Sequence, residues 1–183
     1  MPMKKTKQIL REQAKAIRAS IPNQQRESDA KAIMHNIFKV LGTGSVVGTY
    51  YPIGTEITPP HVLNGYQMAL PVIRDKTTLE FYLWSPTMRL VKRDFNIPIP
   101  DTRGLSSVIP DIILLPLLFC DKHGTRIGYG AGHYDRYINS LENKPLLIGV
   151  CFEEQVSHTT LPNEPHDKKL DLIITPKRII EIP

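Results

Sequence analysis

Apolar positions recur at helical spacing through the first forty residues and then condense into short runs, and this change of period divides the chain. Ile9, Leu10, Ala14 and Ile17 make one narrow stripe, which predicts a helix over residues 3–19. Lys7, Arg11, Lys15 and Arg18 recur at i, i+4, i+8 and i+11 and make a basic stripe on the same helix. Ser20-Ile21-Pro22 breaks it and opens a second helix, since proline is tolerated in a first turn. That helix runs to about Leu41, with Ile33, Met34, Ile37, Phe38 and Leu41 inward and Gly42 and Gly44 ending it. The apolar runs at 45–51, 68–73, 79–84, 111–119, 146–152 and 170–175 predict strands. The run at 79–84 alternates, whereas 111–119 is apolar without alternation, as a strand covered on both faces should be. A brief helix is expected at 58–65 behind Pro59 and Pro60, another at 134–141, and an ordered loop at 85–110, which carries four prolines. Strands interleaved with helices mean an α/β fold. We expect a single three-layer domain over residues 1–183, with a largely parallel sheet flanked by helices and residues 3–41 packed on it as an N-terminal helical segment.

Composition changes this picture little. Hydrophobic residues make up 41% and charged residues 22%, as in ordinary globular proteins. The net charge of +5 suits an anionic small molecule, a nucleic acid, or simply a soluble basic surface. Only 7% of residues are aromatic and there is no basic low-complexity run, which argues against a dedicated nucleic-acid binder. Cys120 and Cys151 sit in apolar runs without a CxxC or Cys/His pattern, so buried free thiols are expected rather than a structural zinc site. The charged, periodic N-terminus lacks the apolar core of a signal peptide, and no run approaches the roughly 18 apolar residues of a membrane span. A cytoplasmic monomer without membrane or nucleic-acid partners is expected.

The segment with the most chemistry is Arg126-Ile127-Gly128-Tyr129-Gly130-Ala131-Gly132-His133-Tyr134-Asp135, which follows a buried strand and precedes a helix. Ligands of open α/β sheets bind at the carboxyl ends of strands, where such a turn lies. Alternate glycines let backbone N–H groups approach a phosphate, the helix N-terminus adds partial positive charge, and Arg126 adds a full one. The spacing is GxGxG, neither a Walker A motif nor GxGxxG. On spacing alone it fits a phosphate cradle or a tight turn required by backbone geometry. Asp135, in the first helical turn, suits the helix dipole and also a Mg²⁺ ion that takes few protein carboxylates plus phosphate oxygens. Asp167 and Asp171 are solvated strand-end residues unless two carboxylates reach one pocket and hold a metal. Lys7 and Arg11, one turn apart, fit a polyphosphate grip or a solvated basic face. Glu56 fits an acceptor for a heterocycle or a surface loop residue, and Tyr51 and Trp84 fit stacking walls for a planar ligand or core residues. His133 and His166 suit proton transfer or plain hydration.

Together the segments resemble the 5-formyltetrahydrofolate cyclo-ligase (5,10-methenyltetrahydrofolate synthetase) family over nearly the whole chain. The resemblance rests on the order of Lys7-x-x-x-Arg11, Tyr51-Pro-x-x-x-Glu56, Leu70-Pro71-Val72, Phe81-x-x-Trp84 and Asp111-x-x-x-x-Pro116. It continues through Asp121-x-x-Gly124-x-Arg126, the glycine turn to Tyr134-Asp135-Arg136, and His166-Asp167-x-x-x-Asp171. It implies an ATP- and Mg²⁺-dependent ring closure of 5-formyltetrahydrofolate to 5,10-methenyltetrahydrofolate, with ADP and phosphate released, through a phosphorylated formyl (imidate phosphate) intermediate. By the same resemblance ATP is held by Lys7, Arg11, Arg126, Ile127, Gly128, Tyr129, Gly130, Ala131, Gly132, His133 and Tyr134, with Arg126 and Tyr134 catalytic. Folate is held by Tyr51, Glu56, Trp84, Tyr129, Gly130, Ala131, Gly132 and His133, with Glu56 on the pterin, and Mg²⁺ by Asp135 and Asp171. Lys92 and Arg93 are candidates for the folate's glutamate tail. The chain departs from the family pattern at Ala131, where Lys or Gly is frequent, at His133, where an aromatic is usual, and at Asn96-Ile97-Pro98-Ile99-Pro100, which lacks the family's Gly and Glu. With Ala131, charge at the γ-phosphate falls to Arg126 or to backbone groups. Two other classes are a folate- or nucleotide-binding regulatory protein without turnover and a nucleic-acid module. The presence of Lys7, Arg11, Asp135 and Asp171 argues against the first, and the lack of basic–aromatic interleaving against the second.

Overall fold

The computed structural model describes residues 3–42, 45–92 and 97–183. Gly44, Arg93 and Asn96 lie outside these described residues. Two helices, α1 (Met3–Ser20) and α2 (Asn23–Val40), open the chain. Twelve strands follow among the described residues: β1 (Val46–Gly48), β2 (Gln67–Ile73), β3 (Leu79–Trp84), β4 (Leu90–Lys92), β5 (Pro98–Pro100), β6 (Ile112–Pro116), β7 (Phe119–Asp121), β8 (Arg126–Ile127), β9 (Leu146–Val150), β10 (Val156–Ser157), β11 (Leu172–Ile174) and β12 (Ile179–Glu181). Helix α3 (His133–Ser140) lies between β8 and β9. The main sheet has seven strands in the order β12-β11-β9-β6-β1-β2-β3. The run from β11 to β2 is parallel, and the edge strands β12 and β3 are antiparallel.

Alternation along β6 builds the layers. Ile112 and Leu114 pack with Ile33 and Ile37 of α2, together with Val47, Ile148 and Ile174. Ile113 and Leu115 point the other way, to Ile138 of α3, Leu147 and Ile173. Each such side chain contributes about 1.5–3 kcal/mol when fully buried, so a central strand of this kind needs apolar residues on both faces. Helix α1 packs elsewhere. Leu10, Ala14 and Ile17 cover Leu118, Phe119, Ile127 and Leu161, over the small sheet β10-β7-β8.

The structure corrects five expectations. Residues 58–65 form no helix. Each residue before a proline is steered away from the helical region, and the segment instead folds back on β1, where Thr49 Oγ1 donates to the Pro60 carbonyl at 3.2 Å and His61 Nε2 lies 3.0 Å from the Tyr50 carbonyl. The 85–110 stretch is not all loop, because β4 and β5 pair antiparallel and Val108 bridges Phe81. The apolar run at 111–119 is two strands, because Pro116 ends β6 and β7 joins the other sheet. Met34 and Phe38, expected inward on α2, are exposed at 40% and 46%, and residues 179–181, for which no element was expected, pair as β12. Cys120 and Cys151 are free and buried, as expected, with sulfurs 3.7 Å apart. Among the described residues no helix is long and apolar enough to cross a membrane.

Candidate active site

β8 leads into the glycine turn, and α3 leads out. Gly130 has φ +100° and Gly132, the N-cap of α3, φ +69°, both in the left-handed region. A Cβ on Gly130 would meet the Arg11 guanidinium at 3.0 Å, and one on Gly132 would meet Arg136 Nη1 at 2.9 Å. Gly128 differs: nothing lies within 4 Å of its Cβ position, so the folded chain itself does not require glycine there. Arg11 Nε donates to the Gly128 carbonyl at 2.9 Å, and Arg136 Nη2 to that of Ala131 at 2.8 Å. The turn is thus clamped from α1 on one side and α3 on the other, and the α3 N-terminus has no side-chain cap consuming its N–H groups.

Arg126 is buried. Its Nη2 donates to Asp135 Oδ1 at 2.6 Å and its Nη1 to the Lys168 carbonyl. Asp135 Oδ1 also accepts from Lys168 N at 3.0 Å, which draws the 164–168 loop alongside α3, while Oδ2 accepts no hydrogen bond among the described residues. In that loop Lys7 Nζ bonds Glu164 at 2.7 Å and Asp167 at 2.5 Å. Ligand atoms of Glu164, His166 and Asp167 lie within 4.8 Å of one another. Burial alone would lower the Lys7 pKa, but the bonds from Asp167 and Glu164 outweigh it and raise it. Burial would raise that of Asp167, but Lys7 and the Glu164 N–H pull it below the usual carboxylate value.

Asp171, expected to share a metal with Asp135, is placed elsewhere. It precedes β11, at the amino ends of the parallel strands. Its Oδ1 takes Lys144 at 2.7 Å and its Oδ2 takes Leu147 N at 2.8 Å. Both oxygens are used in holding the start of β9, and Asp135 and Asp171 have no partner in common.

Beyond the carboxyl end of β1, Glu56 is buried at 8% exposure, and its Oε2 accepts from Ile53 N at 2.7 Å. Burial raises its pKa, while Tyr129, the Ile53 N–H and Arg18 lower it; the net shift is upward. Tyr129, in the glycine turn, is pushed up to about 12 by burial and by Glu56. The Tyr134 hydroxyl is pushed above its ordinary range by burial and so is neutral at neutral pH. Tyr51 stacks on His61 with centroids 4.5 Å apart, and Trp84 meets Tyr51 edge-on at 6.1 Å. A cavity of about 310 Å³ runs beside them, lined by His61, Leu63, Met68 and Trp84 among others. Among the described residues, Trp84 Nε1, Arg18 Nη1 and Glu56 Oε1 are buried without hydrogen-bond partners.

The expected residues thus gather in two groups. One holds Lys7, Arg11, Arg126, Asp135 and the turn; the other holds Tyr51, Glu56 and Trp84; Tyr129 belongs to both. Ala131 and His133 stand at the α3 entrance, where Arg136 Nη2 lies 3.3 Å from His133 Nδ1. His61, Glu164 and Arg18 were not among the expected site residues. Arg18 belonged to the basic stripe of α1, but periodicity does not reveal that this arginine is buried.

The model of the 5-formyltetrahydrofolate cyclo-ligase family matches residues 3–176. A 5-formyltetrahydrofolate cyclo-ligase of Mycolicibacterium smegmatis is 30% identical over 88% of this chain and 89% of its own. That of Haemophilus influenzae is 26% identical over 92% of this chain and 97% of its own. The solved structure of Aquifex aeolicus 5,10-methenyltetrahydrofolate synthetase superposes with a TM-score of 0.82 at 26% identity, covering 96% of this chain and 92% of that one. The chain is an enzyme of the 5-formyltetrahydrofolate cyclo-ligase family.

Proposed function

We propose that the enzyme converts 5-formyltetrahydrofolate to 5,10-methenyltetrahydrofolate with Mg²⁺-ATP. The formyl oxygen attacks the γ-phosphate and ADP leaves, which turns a poor electrophile into an imidate phosphate. N10 then attacks the activated carbon, the C–O bond to phosphate breaks, and the N10 proton is lost. The protein's part is positioning and charge neutralisation. Lys7, Arg11, Arg126, the backbone of residues 127–134 and the α3 N-terminus would hold ATP. Glu56, Tyr51 and Trp84 would face the folate, with Glu56 on the pterin. Tyr134 would donate a hydrogen bond at the turn.

The donor chemistry also fits Mg²⁺. Among the described residues Asp135 Oδ2 accepts no hydrogen bond, and Asp167 immediately precedes Lys168, whose N–H binds Asp135 Oδ1. Hard carboxylate oxygens plus phosphate oxygens make an ordinary Mg²⁺ set, and we assign the second carboxylate to Asp167 in place of Asp171. Held by Asp135 and Asp167, a bound Mg²⁺ would offset phosphate charge. Of these two carboxylates Asp167, together with Glu164, already holds a cation, the Lys7 ammonium, and Asp135 holds the Arg126 guanidinium.

The observation that carries the reading is that one glycine turn, clamped by Arg11 and Arg136, reaches the buried Glu56 through Tyr129 and the Arg18 it binds. A segment that touches both groups of residues suits a reaction in which γ-phosphate and formyl group must meet. A cytoplasmic monomer acting on these two small molecules belongs to the same reading. The test is direct: mix the protein, ATP, Mg²⁺ and 5-formyltetrahydrofolate and follow methenyl-folate absorbance. Absence of product rejects it.

A further inference from the structure

Burying an arginine costs several kcal/mol unless charge and hydrogen bonds compensate, yet α1 buries Arg18 to 4% exposure. Its Nε donates to Thr55 Oγ1 at 3.1 Å and its Nη2 to the Tyr129 hydroxyl at 2.7 Å, with the guanidinium 5.7 Å from the Tyr129 ring centroid. The third arm, Nη1, has no hydrogen-bond partner and lies 3.8 Å from Glu56 Oε1, which has none either. An unmatched donor thus stands next to an unmatched acceptor of opposite charge. A second arginine secures the arrangement, as Arg26 donates to the Arg18 carbonyl at 2.7 Å and to the Thr55 carbonyl at 3.2 Å. Tyr129, the residue that Arg18 grips, lies between Gly128 and Gly130 of the turn assigned to ATP.

We propose that Arg18 is a positioning residue for folate recognition: it holds Glu56 as a charged, oriented acceptor and ties that carboxylate through Tyr129 to the glycine turn. This rests on the assignment of Glu56 to the folate. Arginine suits the task and lysine does not, because one planar fork serves Thr55, Tyr129 and Glu56 at once. The groups facing Glu56 are Arg18 from α1, Tyr129 from the turn, Ile53 N–H from its own loop, and the phenols of Tyr50 beyond β1 and Tyr134 in α3. The phenols are neutral at working pH; against burial, the Tyr129 and Ile53 hydrogen bonds and then the Arg18 charge favour the carboxylate, and Arg18 is the cation among these groups. Without Arg18 Glu56 takes up a proton more readily, and its acceptor role fails from a higher pH downward.

The test uses the full chain with Arg18→Met and Arg18→Lys. It reads the KM for 5-formyltetrahydrofolate and for ATP, kcat, the pH profile of kcat/KM for folate, melting temperature, and folate binding without ATP from the fluorescence of the single tryptophan, Trp84. We expect R18M to raise the folate KM by about tenfold or more, the loss of one charge-assisted contact. The ATP KM should change far less, and the acid limb should move to higher pH. R18K, which keeps the charge without the fork, should restore the acid limb but not the folate KM. Unchanged folate KM and acid limb in a folded R18M overturn the proposal, as does a parallel loss of ATP and folate affinity. If R18M does not fold, R18K decides: a wild-type folate KM there overturns the proposal. Wild-type protein that neither binds nor converts 5-formyltetrahydrofolate rejects the substrate assignment itself, and this proposal with it. Wild-type turnover with unaffected variants rejects only the role of Arg18.

Discussion

Gly128, Gly130 and Gly132 look equivalent in the sequence and are not. Backbone angles separate them, and those are invisible to spacing. Gly130→Ala forces a side chain into the left-handed region and against Arg11, so we expect a loss of about 1–2 kcal/mol in chemical denaturation. Gly128→Ala finds open space, so the melting temperature should hold while the ATP KM rises, because in the proposed cradle it is the nucleotide that would approach closely there. A Gly128→Ala protein with wild-type ATP KM would remove that position from the cradle. The two aspartates of Asp167-x-x-x-Asp171 raise the same difficulty. The motif marks a strand start but does not say that Asp171 faces β9, while Asp167 reaches Lys7 and its neighbour Lys168 binds Asp135 through its N–H. Asp135→Asn and Asp167→Asn should each shift the Mg²⁺ dependence of turnover to higher concentration with the fold intact. Asp171→Asn should lower stability and leave that dependence unchanged. The reverse pattern in a Mg²⁺ titration would restore Asp171 as the ligand.

At the scale of elements, α1 is the connecting piece. Its apolar stripe seats it on the small sheet, and three of its cations reach separate places: Lys7 the 164–167 loop, Arg11 the glycine turn, Arg18 the Glu56 loop. The helix and both stripes were legible from periodicity. The destinations were not, because every contact crosses more than thirty residues of sequence. Lys7→Met should therefore have two effects. It leaves Asp167 and Glu164 without their cation, a cost of about 1–3 kcal/mol, and it weakens ATP binding. The linkage signs follow from the two shifts. Asp167, with its pKa lowered, stabilises the fold above its unfolded value, and this is lost as pH falls through the folded value; Lys7, with its pKa raised, does so below its unfolded value. Wild type should thus lose more stability on acidification than Lys7→Met, as read from melting temperature against pH. Parallel curves would mean that the pair contributes nothing.

For the whole molecule, the central strands were legible because β6 and β9, buried on both faces, must be apolar throughout. The edges and the small sheets were not. β8, β10 and β12 have two or three residues each, and strands so short are set by their partners rather than by any local pattern. The two faces of the main sheet also differ in what they support. The α2 face packs Ile37 against Leu114 and Ile148, far in function from the glycine turn, whereas the eight-residue α3 carries Asp135 in its first turn and is seated by Ile138. Ile37→Ala and Ile138→Ala should each cost about 2–5 kcal/mol, the usual range for emptying such a site. Only Ile138→Ala should also raise the ATP KM, because α3 tilts with its anchor and takes Asp135 and the turn along. Denaturation curves and ATP titrations on the two proteins separate the effects. An ATP KM raised equally by Ile37→Ala would mean that the nucleotide site depends on overall stability rather than on the seating of α3.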